Sequence, residues 1–393
     1  MTTYLNYTHP IYSTLINDYY NGVLKVSDGT SYGTGSLLYD GKSILTAAHV
    51  FDGMSYDNLK IYLYDGESDF TLNARVTVYE GYDDVNINGD LAIVTFDETL
   101  DDFYNRYNIF RDDSISRDFT AVGYGDVGTG TTGYIDSSTI HKVKVTNTFD
   151  ADLNTLENDS YLNLSWESIL DSVLVADFDT GNSNQDVIGY LNNTQDLGTG
   201  YTEGIIAPGD SGGPSFVNEQ IAGIASYSFE YNSANFQFDV NDTLDSSFGE
   251  MAAWQSTAYY QEWIDKTIRD NYIDAPITKE DVKQEVSEAD TYAYFMVSYN
   301  LDRNLINDTI SVDYKTLDGT AVAGEDFIAV SGRLNLYSDE DYAIIAVELI
   351  NDSIKENDEY FYIEISNPVN GSFGEGVETL TAIRTIYDDT VWG

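Results

Sequence analysis

The sequence of 393 residues contains no cysteine. Disulfide bonds are therefore excluded, and the fold must be held together by packing, hydrogen bonds or metal ions. No run of apolar residues approaches the roughly 18 that a membrane-spanning helix needs. The first segment, Met1 to Asn21, is polar and rich in tyrosine. It differs from a signal peptide, which has a basic start and an apolar middle.

Basic residues are also scarce, because Lys and Arg total 18 against 67 Asp and Glu, giving a net charge of −49. Such a charge repels nucleic acid and anionic membranes and favours divalent metal ions as partners. An acidic, cysteine-free chain of this kind, lacking a signal peptide, resembles bacterial proteins that are exported in one step through a C-terminal signal. We therefore expect a secreted or cell-surface protein, and cytoplasmic retention stays open.

Local patterns predict mainly β-structure. From about Val23 to Val240, short β-branched and aromatic runs alternate with Gly, Asn and Asp clusters, as in all-β domains. Apolar residues at helical spacing predict one amphipathic helix from roughly Met251 to Tyr272. The acidic, Asn-rich stretch from about Phe149 to Gly200 is expected to form surface loops with a few short strands. Pro276 then marks a domain boundary, since proline ends helical continuation.

One glycine-rich segment, Pro208 to Phe216, has the sequence Pro-Gly-Asp-Ser-Gly-Gly-Pro-Ser-Phe. A sharp turn can present the hydroxyl of Ser211 free of neighbouring side chains and direct backbone amides at a developing oxyanion. Serine becomes a good nucleophile only when a base accepts its proton and a third group orients that base. Without those partners, the segment would be an ordinary glycine-rich hairpin.

Candidates for both partners precede the serine in the chain. His49 follows the apolar run Ser-Ile-Leu-Thr-Ala-Ala, whereas His9 and His141 have no comparable context. Asp90 stands directly before Leu-Ala-Ile-Val-Thr-Phe, where a partly buried carboxylate can be held firmly against an imidazole N–H. The three side chains therefore occur in the order histidine, aspartate, serine.

These three segments resemble the active-site motifs of chymotrypsin-like (trypsin-fold) serine proteases, which use the same chain order. The resemblance implies an all-β fold of two antiparallel Greek-key barrels closed by a C-terminal helix. It implies that Ser211 is the nucleophile, His49 the base and Asp90 the orienting acid. The amides of Gly209 and Ser211 would form the oxyanion hole, and catalysis would need no cofactor. A protease fold that has lost its activity remains the alternative.

The same resemblance places the substrate pocket around Ile205, Ile206, Ser226, Tyr227 and Ser228. Ile205 occupies the position at which relatives that select Lys or Arg carry an acid, so an apolar or small residue is expected before the scissile bond. The stretch from Ser226 to Ser228 is expected to pair with the substrate backbone as a strand edge. Alternatively, Ile205 and Ile206 belong to a core strand and the pocket lies elsewhere.

Asp210 raises the question of activation. In the trypsin branch, the aspartate before the serine is neutralised by a new N-terminus that cleavage releases. This sequence has no clear activation site, and Ile11 is only a weak candidate for the new terminus. We expect either processing within residues 1–22, a possible propeptide, or another partner for Asp210. The protease-like domain would then span residues 23–275 and a C-terminal domain residues 276–393.

The C-terminal segments Val286 to Asp290, Val312 to Ala321, Ala323 to Phe327 and Ser366 to Pro368 resemble a Calx-β domain. This family is a calcium-binding, immunoglobulin-like β-sandwich, and period-two alternation here fits sandwich strands. The implied Ca²⁺ ligands are Glu288, Asp326, Asp352, Glu356, Glu359, Asp388 and Asp389. Because Asn351 and Ser353 depart from the family pattern, one of the usual ions is expected to bind weakly or be absent. The alternative is a solvated acidic rim.

Two functional classes follow from these resemblances. The first is a serine endopeptidase that acts on protein or peptide substrates and uses the Ca²⁺-binding module for stability or targeting. The second is a catalytically silent protease fold that acts as a Ca²⁺-dependent surface adhesion or binding protein. Labelling of Ser211 by an organophosphonate would distinguish them.

Overall fold

The computed structural model describes residues 1–15, 18–51, 56–86, 88–135, 141–157, 167–233, 236–299, 308–352 and 354–387. By its internal contacts, the chain divides into two compact units, Met1–Ile268 and Arg269–Gly393. The predicted all-β class is confirmed, since the first unit contains a closed barrel and a half barrel and the second is built of sheets. Within the described ranges, no helix has the length and apolar character needed to cross a membrane.

The first unit is built mostly of short strands. In chain order, the strands among its described residues are β1 (Thr2–Thr3), β2 (Val23–Ser27), β3 (Tyr32–Leu37), β4 (Ser43–Thr46), β5 (Tyr56–Tyr64), β6 (Asp69–Val78), β7 (Ala92–Phe96), β8 (Asp118–Gly123), β9 (Val127–Thr129), β10 (Gly133–Ile135), β11 (Val143–Thr148), β12 (Ala151–Asp152), β13 (Val173–Asp177), β14 (Gly204–Ile205), β15 (Pro214–Val217), β16 (Gln220–Phe229), β17 (Asn232–Ser233), β18 (Phe236–Gln237) and β19 (Met251–Ser256). The α-helices are α1 (Leu153–Glu157), α2 (Val187–Asn192) and α3 (Thr257–Asp270). Short 3-10 helices cover Pro10–Tyr12, Ala48–Phe51 and Gly200–Thr202.

Six strands form the closed barrel, in the order β2-β3-β4-β7-β6-β5. The barrel closes where β2 pairs with β5, for example Lys25 opposite Tyr64. β7 is buried along its whole length because it lies between β4 and β6 and its apolar side chains fill the interior. The pairing of Thr46 with Ala92 brings the residue that ends β4 next to the start of β7. This register determines where the side chains after β4 and before β7 meet.

The half barrel is a seven-stranded antiparallel sheet in the order β11-β8-β15-β16-β19-β13-β12. Its core contains an aromatic cluster in which Trp254 packs edge-on against Phe119 at a ring-centroid distance of 5.1 Å, while Phe119 stacks on Phe149. A second, four-stranded sheet has the order β10-β9-β1-β14. In it, β1 pairs with β14, which directly precedes the glycine-rich turn.

Two sequence-based expectations about this unit are corrected. The predicted helix from Met251 to Tyr272 is two elements, because Met251–Ser256 is the buried strand β19 between β16 and β13, and α3 begins only at Thr257. Among the described residues of the stretch 149–200, the expected short strands are present, but they are buried and do not lie at the surface. Its strand β13 is buried throughout and pairs with β19 in the sheet, and α1 and α2 pack apolar residues into the same core. A short, continuously apolar run buried on both sides carries no helical or alternating signature, which explains both misreadings.

The second unit consists of two sheets. The strands among its described residues are β20 (Glu285–Ser287), β21 (Tyr292–Ser298), β22 (Ile310–Leu317), β23 (Ser331–Leu336), β24 (Tyr342–Glu348), β25 (Glu359–Val369) and β26 (Thr379–Tyr387), and a 3-10 helix covers Lys279–Asp281. One sheet has the order β20-β26-β25-β22-β23 and the other pairs β21 with β24. Burial alternates strictly along β24, as expected for a strand with one face on a core. The core centres on Phe361, which stacks on Phe327 at 4.4 Å.

Candidate active site

His49 and Asp90 form a hydrogen-bonded pair in which the carboxylate is fully buried and the imidazole is 37% exposed. His49 lies on the 3-10 helix after β4, and Asp90 lies just before β7, so the register of these strands brings them together. Asp90 Oδ2 is 2.7 Å from His49 Nδ1, and Asp90 Oδ1 accepts the backbone N–H of His49 at 2.9 Å. Burial lowers the pKa of His49, but the hydrogen bond and the charge of Asp90 outweigh it, so the pKa is raised above 6.5. Asp90 therefore fixes the orientation of the imidazole ring through Nδ1. The other ring nitrogen, Nε2, lies outside this pair.

Ser226 supplies a further hydrogen bond to Asp90, which sequence reasoning missed. Its hydroxyl donates to Asp90 Oδ2 and in turn lies 3.5 Å from Gln255 Nε2. The Gln255 side chain also accepts the amide of Gly89 at 3.1 Å. Although the sequence assigned Ser226 to the substrate pocket, its hydroxyl holds the orienting carboxylate. No sequence signal could reveal this contact, because it joins the two barrels.

The glycine-rich turn packs directly against the residues before His49. A Cβ on Gly212 would lie 2.0 Å from Thr46 Oγ1 and 2.7 Å from Ala47 N, and φ at Gly212 is +80°. The carbonyl of Ser211 accepts the amide of Thr34 at 2.8 Å. These contacts bring Ser211 to the same side of the molecule as His49. Among the described hydrogen bonds, none joins His49 Nε2 to Ser211 Oγ. In proteases such a bond is often made only when substrate binds.

The two amides predicted for an oxyanion hole are available. Neither the N–H of Gly209 nor that of Ser211 donates a hydrogen bond within the described residues. The carbonyl of Gly209 is held by Thr34 Oγ1 at 3.0 Å, and φ at Gly209 is +91°, a conformation that favours glycine. The turn therefore presents two uncommitted donors beside Ser211, as electrostatic stabilisation of an oxyanion requires.

Asp210 is fully buried and anchors this turn. Its Oδ1 accepts the amide of Gly125 at 2.8 Å, and its Oδ2 accepts that of Ala207 at 2.9 Å. The ammonium group of Met1 lies 2.7 Å from the same Oδ2, and it also donates to the carbonyl of Asp126 at 2.5 Å. The counter-charge of Asp210 is thus the N-terminal ammonium at position 1. Ile11, the weak candidate for a processed terminus, lies in the 3-10 helix Pro10–Tyr12.

The N-terminal segment is integrated into the first unit. Thr2 and Thr3 are buried in β1, which pairs antiparallel with β14 and parallel with β9. Tyr12 is 1% exposed and its hydroxyl donates to the carbonyl of Tyr201. These contacts hold the described part of residues 1–22 against the rest of the first unit. Cleavage of this segment as a propeptide stays a prediction.

The remaining pocket residues lie in two environments. Ile205 and Ile206 are buried in the core of the half barrel, and Ile205 pairs with Thr2 in the sheet. Tyr227 packs in a neighbouring core, and Ser228 is partly exposed and lies opposite Ala252 of β19. Direct contact of these side chains with a substrate stays a prediction.

The second unit brings together three of the predicted calcium ligands. One carboxylate oxygen from each of Asp326, Glu356 and Glu359 lies within 4.8 Å of the others. Desolvation and the charge of Asp326 raise the pKa of Glu356 and of Glu359. Such a set of clustered, mutually repelling oxygens fits a hard divalent cation.

Two further predicted ligands contact each other. Glu288 is nearly buried, and its Oε1 accepts the amide of Asp352 at 3.0 Å, so the two residues are neighbours. The charge of Asp352 also acts on Glu356. Asp388 and Asp389 lie outside the described residues, as does Ser353.

Comparison with known proteins identifies both units. A family model described as Trypsin matches residues 13–243, and one described as Calx-beta domain matches residues 274–390. The sodium/calcium exchanger Calx of Drosophila melanogaster is 42% identical over 69 residues, covering 18% of this chain and 7% of that protein. Human sodium/calcium exchanger 2 is 34% identical over 96 residues, covering 21% and 10%. The chain thus spans only between 7% and 10% of the length of these relatives.

Two solved structures are similar to about two thirds of this chain. The inactivated protease paralogue S-D1 of the scabies mite has a TM-score of 0.46 at 18% identity, covering 65% of this chain and 95% of that one. Neuropsin, a serine protease expressed in the limbic system of mouse brain, also has a TM-score of 0.46, at 14% identity, covering 65% and 98%.

The raised pKa of His49 is directly measurable. In the parent chain the pKa of His49 should lie above 6.5. Replacing Asp90 by asparagine removes the charge that raises this pKa and leaves the burial that lowers it, so the pKa should fall below 6.5 in Asp90→Asn. NMR titration of the imidazole signals follows this, since the chain has only 3 histidines. Asp83→Asn, a change at an exposed turn, is the control. An unchanged titration of His49 in Asp90→Asn would contradict the pairing.

The Met1–Asp210 ion pair predicts sensitivity to N-terminal extension. Adding Gly-Ser before Met1 moves the ammonium group away and leaves Asp210 buried without a counter-charge, so the free energy of unfolding should fall by about 3–5 kcal/mol. Chemical denaturation measures the change. In an Asp210→Asn background the same extension should cost much less. Equal losses in both backgrounds would show that the ion pair does not form.

Proposed function

Because the chain belongs to the trypsin family and also carries a Calx-beta domain, we propose that it is a serine endopeptidase whose activity resides in the first unit. One observation carries this proposal. A glycine-rich turn offers two uncommitted amides beside Ser211 and packs against the segment that bears the hydrogen-bonded His49–Asp90 pair. These parts are what acyl transfer to a serine requires.

The proposed reaction proceeds through an acyl-enzyme. Ser211 Oγ forms a bond to the carbonyl carbon of the scissile peptide while its proton passes to His49 Nε2. The carbonyl oxygen becomes an oxyanion, which the N–H groups of Gly209 and Ser211 stabilise. The C–N bond then breaks as His49 returns the proton to the leaving amine. His49 then takes a proton from a water molecule, whose oxygen forms a bond to the acyl carbon. The bond from that carbon to Ser211 Oγ breaks, Oγ regains the proton from His49, and the acid product leaves.

Asp90 is proposed to act through His49. It accepts bonds from the imidazole, from the backbone of His49 and from Ser226, so its carboxylate is held in one orientation. This fixes the tautomer in which Nε2 is free to accept a proton. It also stabilises the imidazolium that forms during the reaction, consistent with the raised pKa of His49. The neutral form needed as a base is populated above that pKa, so activity should decline as the pH falls through it.

An extended peptide is the proposed substrate. β15 pairs with β16 only as far as Ile224, whereas β19 continues along β16 to Phe229. Within the described residues, the edge of β16 from Ser226 to Ser228 therefore has a sheet neighbour on one side only. A substrate backbone adding to this edge would lie beside Ser211, as β-augmentation allows. The proposed preference for apolar or small residues before the scissile bond rests on the lack of an acid at position 205, since the side chains of Ile205 and Ile206 are themselves buried in the core.

Covalent labelling tests the endopeptidase proposal. A fluorophosphonate should modify the chain at a single site, Ser211, as determined by peptide mass mapping. Ser211→Ala should abolish labelling, and His49→Ala should slow it by at least about 10²-fold because the general base is lost. Ser68→Ala, a change at an exposed serine between β5 and β6, is the matched control. Lack of labelling of the parent chain with Ca²⁺ present would instead favour the silent, Ca²⁺-dependent binding protein.

For the second unit we propose a structural calcium site at Asp326, Glu356 and Glu359, with Glu288 and Asp352 beside it. Support comes from the convergence of three carboxylates and from the match to the Calx-beta domain. A bound ion would compensate the repulsion that raises the pKa of the two glutamates. Extracellular calcium modules bind with Kd of about 10⁻⁴–10⁻³ M. We accordingly propose a secreted or cell-surface location.

Calcium should raise the melting temperature of the second unit. At a free concentration about 100 times Kd, binding contributes about 2.7 kcal/mol to its stability. Differential scanning calorimetry with Ca²⁺ and with chelator measures this gain. Asp326→Asn should remove most of it, whereas Asp313→Asn, whose side chain pairs with Arg333 in this unit, should retain it. If chelator leaves the melting transition of the second unit unchanged, the proposal of a calcium site there is wrong.

A further inference from the structure

A second group of carboxylates lies in the first unit, far along the chain from the Calx-beta ligands. Asp177 ends β13, Asp179 follows two residues later, and Asp186 precedes α2. One oxygen from each of the three lies within 4.8 Å of the others. Their exposed fractions are 3%, 1% and 4%, so the cluster is closed to bulk water. We refer to Asp177, Asp179 and Asp186 as the barrel cluster.

Further acids surround the barrel cluster. Glu203 is fully buried and its charge acts on Asp179, while the charge of Asp196 acts on all three members. Burial raises the pKa of Asp179 to about 10, and the charges of Asp177 and Glu203 add to the shift. Burial likewise raises the pKa of Glu203 to about 8. The neighbouring charges that act most strongly on these groups all belong to other carboxylates, which add to the cost of desolvation.

Two oxygens at this place have no hydrogen-bond partner among the described residues. They are Asp179 Oδ1 and Glu203 Oε2, and both residues are at least 99% buried. Three further carboxylate oxygens accept hydrogen bonds from backbone amides. Asp177 Oδ2 accepts from Ile188 at 2.7 Å, Asp186 Oδ1 accepts from Gly189 at 2.8 Å, and Glu203 Oε1 accepts from Asp179 at 2.7 Å. The backbone thus positions the carboxylates and leaves acceptors unused.

Buried, unpaired acceptors and unpaired charge both cost free energy, and a cation removes both costs at once. We propose that the barrel cluster, together with Glu203, is a binding site for one Ca²⁺ ion. All donors are oxygen, which suits a hard cation. Oxygens that each lie 2.3–2.6 Å from one ion are at most about 5 Å apart, and the cluster meets that limit. Mg²⁺ suits the site less, because it retains several waters and demands strict octahedral geometry.

The position of the site gives it a structural consequence. Glu203 directly precedes β14, and its carbonyl accepts the amide of Tyr4 at 3.0 Å. The hydroxyl of Tyr4 donates to the carbonyl of Thr180, inside the loop that joins Asp179 to Asp186. A calcium ion would therefore connect this loop to the N-terminal strand, three residues from the ammonium group that pairs with Asp210. The site does not depend on the proposed endopeptidase activity.

Calcium stoichiometry of the full chain tests the inference. Equilibrium dialysis against ⁴⁵Ca²⁺ should show that Asp179→Asn binds one ion fewer than the parent chain at the same free Ca²⁺. The substitution is mild, because Asp179 Oδ1 has no partner to lose and an amide has nearly the same shape. Asp326→Asn, in the second unit, should retain the barrel-cluster ion. Loss at one position with retention at the other separates this site from the Calx-beta site.

A second variant and a second readout guard against a folding defect. Glu203→Gln keeps an acceptor for the Asp179 amide, and it should weaken the barrel-cluster site at least tenfold while far-UV circular dichroism stays unchanged. Calcium should raise the melting temperature of the first unit in the parent chain and in Asp326→Asn but not in Asp179→Asn. If the stoichiometry and the calcium response of Asp179→Asn equal those of the parent, the carboxyls are protonated instead and the inference is overturned.

Discussion

The ion pair between Asp210 and the ammonium group of Met1 is the contact on which the candidate active site depends. A buried carboxylate is stable only when it is hydrogen-bonded and neutralised, and Asp210 receives two backbone amides and one cation. Because Asp210 lies between Gly209 and Ser211, fixing its side chain also fixes the turn that presents both oxyanion amides. The fold therefore links the N-terminal strand to the geometry of the candidate active site.

A chain with 67 acidic and 18 basic residues cannot pair every carboxylate with a basic side chain. The first unit uses different means at different places. Asp210 takes the N-terminal ammonium, and Asp90 takes an imidazole, a hydroxyl and an amide. The barrel cluster has backbone amides on some oxygens and no donor on others, and there a divalent cation supplies the missing charge. Metal binding would in this way replace the disulfides that the sequence lacks.

Much of the fold could be predicted from the sequence, because the residues that carry the resemblance are contiguous. His49, Asp90 and Ser211 each stand in a short motif, and the pairing of β4 with β7 joins the first two as expected. The role of Ser226 could not be predicted in this way, since it lies 136 residues from Asp90 and its hydroxyl could equally have faced a pocket. β13 and β19 were misread because a fully buried strand has no periodicity.

The barrel cluster shows a second reason why a site could not be predicted from the sequence. Its three aspartates belong to an acidic stretch, and where carboxylates are common at every loop, only burial distinguishes a ligand from a solvated side chain. The partner of Asp210 was left open between a processed terminus and another group, and in the structure the ammonium group of Met1 lies against it. In both cases the contact depends on tertiary packing, which local sequence patterns do not contain.

Active-site titration with a p-nitrophenyl ester measures formation of the acyl-enzyme at the serine. A burst of one equivalent of nitrophenol per chain is expected. The burst should be absent in Ser211→Ala and strongly reduced when residues are added before Met1, since the oxyanion turn then loses the counter-charge of Asp210. No burst from the parent chain in Ca²⁺, or an undiminished burst from the extended chain, would contradict this expectation.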